Sequence, residues 1–195
     1  ARCVQYARFD EQGRFMNDAL TPAELALRVK LLICDVDCVL TDGRLIYGTD
    51  GFEAKAFHTL DGLGMQALKS AGIGVHWLTA RSSDIVTRRA EELNISVLQG
   101  IRDKAVGLAS ICQSKGVALE EIAYIGDDWL DLPALTRVGF ACTVPNASPA
   151  VKARAHWVSQ AAGGYGAVRE LAEFILAAQG LLDEALAPYL GVTLQ

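Results

Sequence analysis

Two hydrophobic rhythms alternate along this chain. Short, nearly unbroken apolar runs cover residues 31–34, 73–78, 96–98, 122–125, 140–144 and 157–158. Runs of this length, rich in Ile, Val and Leu, read as strands buried on both faces. Between them lie stretches whose apolar residues return every three or four positions, the spacing of one helix face. These predict helices over 62–70, 82–93, 103–115, 129–137, 149–155, Ala167–Ala178 and 181–187. Thr21-Pro22-Ala23-Glu24 is a capping box with proline at the first helical position, opening a further helix through Lys30. Residues 44–58 break the rhythm: two short β-prone segments flank Gly48-Thr49-Asp50-Gly51, which predicts a projecting β-hairpin. Strands alternating with helices predict an α/β fold with a mainly parallel sheet, covered on both faces.

Parallel sheets bind ligands beyond the carboxyl ends of their strands. The polar residues at those ends are therefore the informative ones. Asp35 and Asp37 follow the first strand, and Thr79 and Arg81 the second. Asp103 and Lys104 come after the third, and Asp127, Asp128 and Asp131 after the fourth. In extended backbone, positions i and i+2 face the same way, so Asp35 and Asp37 are neighbours. Two carboxylates ~4 Å apart repel by about 4 kcal/mol at an effective dielectric of about 20. A crevice that gathers four or five of them needs a cation.

Composition narrows which cation and which partners. The chain has 195 residues, a net charge of −5 and 51% hydrophobic residues. That length fits one domain over 21–195, preceded by a flexible lead-in over 1–20, with Met16 a candidate natural start. No basic field invites nucleic acid, and no apolar run reaches the ~18 residues that span a membrane. The N-terminus carries no signal-peptide pattern, and five cysteines without a CxxC pair read as reduced thiols, so a cytoplasmic protein is expected. The histidines His58, His76 and His156 are scattered and make no zinc site; His76 reads as a core residue. An all-carboxylate oxygen set suits Mg²⁺.

This donor set fits phosphoryl chemistry. Asp35 can attack phosphorus as nucleophile, and Asp37 can act as general acid and base. Thr79 and Lys104 offer the hydroxyl and ammonium that phosphoryl oxygens need. Asp127 is the first candidate metal ligand, then Asp128, while Asp131 mainly orients its neighbours. Each residue has a plainer reading: turn former for Asp37, solvated helix residue for Lys104, helix-start acid for Asp128 and Asp131.

In order and spacing these residues resemble the four motifs of the haloacid dehalogenase superfamily of phosphatases. Asp35-Val36-Asp37-Cys38-Val39-Leu40-Thr41-Asp42 is similar to the first, Thr79 to the second, Lys104 to the third, and Gly126-Asp127-Asp128-Trp129-Leu130-Asp131 to the fourth. Lys55-Ala56-Phe57, Asp61-Gly62-Leu63-Gly64 and Gly163-Gly164-Tyr165-Gly166 extend the likeness to the capless subfamily that dephosphorylates 3-deoxy-D-manno-octulosonate 8-phosphate on the route to lipopolysaccharide. The resemblance implies a Rossmann-like three-layer sandwich without a cap domain. It also implies an aspartyl-phosphate intermediate, Mg²⁺ held by Asp35, the backbone carbonyl of Asp37, Asp127 and Asp128, and a homotetramer packed through the hairpins. Arg81, Lys55, His58 and Arg169 are the substrate-binding candidates. The chain departs from that pattern at Cys38, where the family usually has Gly, and at Leu60 and Tyr165, where relatives carry Arg. Three alternatives stay open on sequence: a phosphatase of another sugar-acid phosphate such as a nonulosonate 9-phosphate, an impaired relative kept for assembly or regulation, and a receiver domain. The last is disfavoured because the Asp-x-Asp pair follows the first strand.

Overall fold

The computed structural model describes residues 20–191, so the expected lead-in lies outside the described residues except for Leu20. The chain runs α1 (Pro22–Ala26), β1 (Leu31–Cys34), β2 (Ile46–Tyr47), β3 (Glu53–Ala54), α2 (Thr59–Ser70), β4 (Gly74–Leu78), α3 (Asp84–Glu92) and β5 (Ser96–Leu98). It continues through α4 (Lys104–Lys115), β6 (Ile122–Ile125), α5 (Leu132–Leu135), β7 (Phe140–Thr143), α6 (Pro149–Lys152), β8 (Trp157–Val158), α7 (Ala167–Ala178) and α8 (Leu182–Leu190). The main sheet has the order β5-β4-β1-β6-β7-β8, and every pairing in it is parallel. This is the Rossmann-like α/β architecture expected.

The all-apolar run of β1 takes the centre because it can be buried on both faces. Leu32, Ile33 and Cys34 are wholly buried, with β4 on one side and β6 on the other. From β1 the chain winds outward through β4 to β5, then crosses back to β6 and winds the other way. The strand order therefore reverses between β1 and β6, and a crevice opens where their carboxyl ends diverge. Asp35 and Asp127 are the residues that follow at this point.

Between β1 and α2 stands only the two-stranded hairpin, with Ile46 opposite Ala54 and Tyr47 opposite Glu53. A bridge between Thr41 and Phe57 closes its base. The paired part is shorter than the expected 44–58, and no cap domain intervenes.

Other boundaries differ for local reasons. The first helix ends at Ala26 rather than Lys30, because Lys30 is drawn into the sheet. Its N–H donates to the Glu121 carbonyl at 2.8 Å and its carbonyl accepts from Gly74 N–H at 2.8 Å. The third predicted helix spans Asp84–Glu92, inside the expected 82–93. The helix expected over 129–137 divides into a 3₁₀ turn at Trp129–Asp131 and α5, with Pro133 in the first turn of α5. By contrast α2 begins earlier, at Thr59, capped by His58 Nδ1 accepting from Leu60 N–H at 3.3 Å.

Helices α2 and α7 pack together on one face of the sheet. Gly64 permits close contact, since a Cβ there would meet Arg169 at 3.0 Å. Buried Asp61, in the first turn of α2, accepts from Arg169 N–H at the start of α7 at 2.8 Å. One helix thus supplies the N-terminal acceptor that the other lacks. Asp61→Ala is expected to destabilise the fold by about 1–2 kcal/mol, the worth of a helix cap whose loss leaves a buried donor unmet. Urea unfolding followed by circular dichroism checks this.

Candidate active site

The crevice is built around one ammonium. Lys104 is the first residue of α4, after its N-cap Asp103, whose Oδ1 accepts from Ala105 and Val106 N–H at 3.0 and 3.3 Å. That cap turns a lysine at the helix start inward, and it is 1% exposed. Its Nζ lies 2.7 Å from Asp35 Oδ1, 2.5 Å from the Leu78 carbonyl and 3.3 Å from Asp131 Oδ1. Two of its N–H groups thus find hydrogen-bond acceptors, and Asp131 adds an ion pair.

Around it sit the carboxylates. Asp35 donates its N–H to the Ile125 carbonyl at 3.0 Å, which fixes the end of β1 against β6. Asp35, Asp127 and Asp131 offer ligand oxygens that all lie within 4.8 Å of one another. Asp131 is committed: its Oδ2 accepts from Asp127 and Asp128 N–H at 3.0 and 3.2 Å, and its Oδ1 from Tyr124 hydroxyl at 2.6 Å. Gly126 is required for this, since a Cβ there would run into the Asp131 carboxylate. Asp128, expected as a further ligand, is exposed and outside this cluster.

A second group binds the hairpin to the crevice. Asp37 Oδ1 pairs with the Lys55 ammonium, whose side chain is buried, and Asp37 Oδ2 lies 3.8 Å from Arg81 Nε. Arg81 Nη2 donates to the Tyr47 hydroxyl at 3.0 Å and lies 3.8 Å from Glu53 Oε1. Buried Thr79 stands one residue beyond the Leu78 carbonyl that anchors Lys104, and its Oγ1 accepts from Arg81 N–H at 3.3 Å. His58 serves as the cap of α2, and Arg169 bonds Glu173 at 2.7 Å rather than the crevice carboxylates. His76 is buried, as its place in a strand foretold.

A haloacid dehalogenase-like hydrolase model matches residues 66–170. The chain is 40% identical to the 3-deoxy-D-manno-octulosonate 8-phosphate phosphatase KdsC of Escherichia coli K12 over 174 residues, 89% of this chain and 91% of that one. It belongs to the haloacid dehalogenase-like hydrolases. The 3-deoxy-D-manno-octulosonate 8-phosphate phosphatase of Moraxella catarrhalis, solved with magnesium, phosphate and KDO, superposes with a TM-score of 0.84 at 43% identity, covering 86% of this chain and 97% of that chain. The cobalt-bound phosphatase of Haemophilus influenzae gives a TM-score of 0.79 at 40% identity, covering 81% and 93%.

This haloacid dehalogenase-like chain accommodates Cys38 by local geometry. Cys38 has φ 66°, the left-handed region that favours glycine. Its sulfur lies over Gly43, where a Cβ would collide with it. Burial, with Asp127 beside it, pushes the thiol up to about 12, so it stays protonated and inert. Gly163 and Gly164 pack directly on this loop: a Cβ on the first would strike the Cys38 carbonyl, and on the second the Thr41–Asp42 peptide. Asn146 Oδ1 accepts from Gly163 N–H at 2.9 Å, and Gly164 N–H donates to the Val39 carbonyl at 2.9 Å. Sequence reasoning passed over Asn146 and Tyr124, because an asparagine in a loop and a tyrosine in a strand carry no spacing signal.

The cluster's protonation shows what it lacks. Burial, then Asp131, raise Asp35 to about 8, with Lys104 opposing. Burial, then Asp131, raise Asp127 to about 7. Both exceed the ordinary carboxylate value of 3.8. One lysine therefore leaves uncompensated negative charge, and oxygen donors this close fit a hard divalent cation. Because the folded state holds these protons more tightly than the unfolded chain, stability is lost as pH rises from the carboxylate range through about 8. In chelator the protein is expected to melt at a lower temperature at pH 9 than at pH 6, and millimolar Mg²⁺ should remove most of that difference. Thermal scans at the two pH values, with and without Mg²⁺, check this.

Proposed function

We propose that this chain is a Mg²⁺-dependent phosphomonoesterase that hydrolyses 3-deoxy-D-manno-octulosonate 8-phosphate to the free sugar acid and phosphate, a step of lipopolysaccharide synthesis. The observation that carries the reading is the Lys104 ammonium 2.7 Å from Asp35, inside a ring of carboxylates at the β1/β6 switch point. Identity of 40% with phosphatases of that name, over nearly the whole chain, supports the substrate.

In this reading Asp35 attacks phosphorus, the P–O bond to the sugar breaks, and Asp37 donates its proton to the leaving oxygen. A water then attacks the aspartyl-phosphate and returns a proton to Asp37, freeing phosphate and Asp35. Lys104 and Thr79 hold the phosphoryl oxygens. Lys55 and Arg81 aim Asp37 at the leaving group through their contacts with its carboxylate. Asp35, the Asp37 carbonyl and Asp127 would hold Mg²⁺, with Asp128 behind them. When bound, the ion offsets the repulsion between nucleophile and phosphate. Substrate arrives as a small soluble anion, without nucleic acid or membrane as partner. No helix among the described residues is long and apolar enough to cross a membrane, and the setting proposed is the cytoplasm.

The hairpin tips expose Ile46, Tyr47 and Phe52 at 51–63%, which supports a homotetramer joined there. Arg169 bonds Glu173, and in such an assembly it is a candidate for substrate binding at a neighbouring crevice. Leu60 and Tyr165 are exposed. Without arginines at those places, Arg81 and Arg169 remain as candidate cations for the sugar carboxylate, and the second reading takes a related nonulosonate 9-phosphate as substrate.

Phosphate release with Mg²⁺, measured across both sugar-acid phosphates and simple sugar phosphates, tests the proposal. The octulosonate 8-phosphate should give the highest kcat/KM, and Asp35→Asn should lower it by about 10³-fold or more while keeping the circular dichroism spectrum. Wild-type turnover by that variant refutes the nucleophile, and a higher kcat/KM on the nonulosonate selects the second reading.

A further inference from the structure

Lys104 stands between two anions that compete for it. Asp35 takes its ammonium at 2.7 Å and Asp131 at 3.3 Å. Nothing in the lysine itself chooses between them. The choice is made by what else Asp131 holds. Its Oδ2 is filled by the N–H groups of Asp127 and Asp128, and its Oδ1 by the hydroxyl of Tyr124 at 2.6 Å. Tyr124 and Asp131 are both essentially unexposed, so no water replaces that hydroxyl. Oδ1 is the same oxygen that lies nearest Lys104.

We propose that Tyr124 is a positioning residue that aims Lys104 at the phosphoryl site. By satisfying Asp131 Oδ1 it weakens that oxygen's pull on the ammonium and leaves the closer contact with Asp35. Without the hydroxyl, the buried oxygen keeps one donor within reach, which is Lys104. The ammonium then closes on Asp131 toward ordinary ion-pair distance and draws back from Asp35. The wholly buried hydroxyl bonds Asp131, so the role assigned to it is exerted through that carboxylate. Its place is fixed by β6, with Tyr124 paired to Ile33 on one side and Ala141 on the other.

The inference rests on the phosphoryl role proposed for Lys104, and the test separates the two. Orthophosphate binding to the Mg²⁺-loaded protein is measured by calorimetry, alongside kcat and KM, for wild type, Tyr124→Phe, Lys104→Met and the double variant. Tyr124→Phe is expected to weaken orthophosphate binding and lower kcat/KM by roughly tenfold each, the scale of one hydrogen bond to a charged group. In the Lys104→Met background the same change should have no further effect on orthophosphate, because the cation it aims is gone. A residue that merely stabilises the fold would lower the melting temperature and leave orthophosphate affinity unchanged. That outcome overturns the inference, as does an equal loss in both backgrounds. If Lys104→Met itself binds orthophosphate like wild type, the phosphoryl role of Lys104 fails and the inference falls with it.

Discussion

The structure depends on crowding carboxylates at a place where they cannot all stay charged. Asp35, Asp127 and Asp131 share a space less than 5 Å across, and a single buried ammonium stands among them. Lys104 offsets only part of this charge, as the raised positions of Asp35 and Asp127 record. A fold that merely sought stability would place apolar residues here. In the function proposed above, the unrelieved charge is instead a standing affinity for a divalent cation and, through it, for a phosphoryl group.

The sheet makes this crowding possible. An all-apolar central strand fixes Asp35 rigidly, because the backbone of β1 is bonded on both sides. The reversal of strand order beside it opens the floor on which Asp127 and Asp131 converge with Asp35. Small residues then let separate segments approach. Gly126 admits the Asp131 carboxylate, while Gly163 and Gly164 press against the loop that carries Asp37 and Cys38. The strained φ of Cys38 is tolerated where these contacts determine the loop from several directions.

The acidic pair after β1, the lysine opening α4 and the aspartates after β6 were legible in the sequence, because strand ends in a parallel sheet converge by topology alone. The strands at 96–98, 122–125 and 157–158 were legible by period and length. What escaped reading is set by tertiary contacts. The early end of α1 follows from the recruitment of Lys30 into the sheet, which no local pattern encodes. Asp61 looks like an ordinary first-turn acid, yet it caps a helix more than a hundred residues away. Asp131 reads in sequence as an orienting residue and in the structure accepts from Asp127 and Asp128 N–H, but its partner Tyr124 was invisible, since a strand tyrosine usually signals only packing. Asp128 and Asp131 are alike in sequence, and only the backbone path of the 3₁₀ turn decides which faces inward.

Raised by burial and by Asp131, the Asp35 and Asp127 carboxyls hold protons that a bound metal displaces. Calorimetry of Mg²⁺ binding at pH 7, repeated in buffers of different ionisation enthalpy, counts the protons released. With Asp35 near 8 and Asp127 near 7, about one proton should leave per ion bound, and Asp127→Asn should reduce that number. Tight Mg²⁺ binding with no buffer-dependent heat would contradict the account, for it would mean that the carboxylates were already ionised and compensated without the ion.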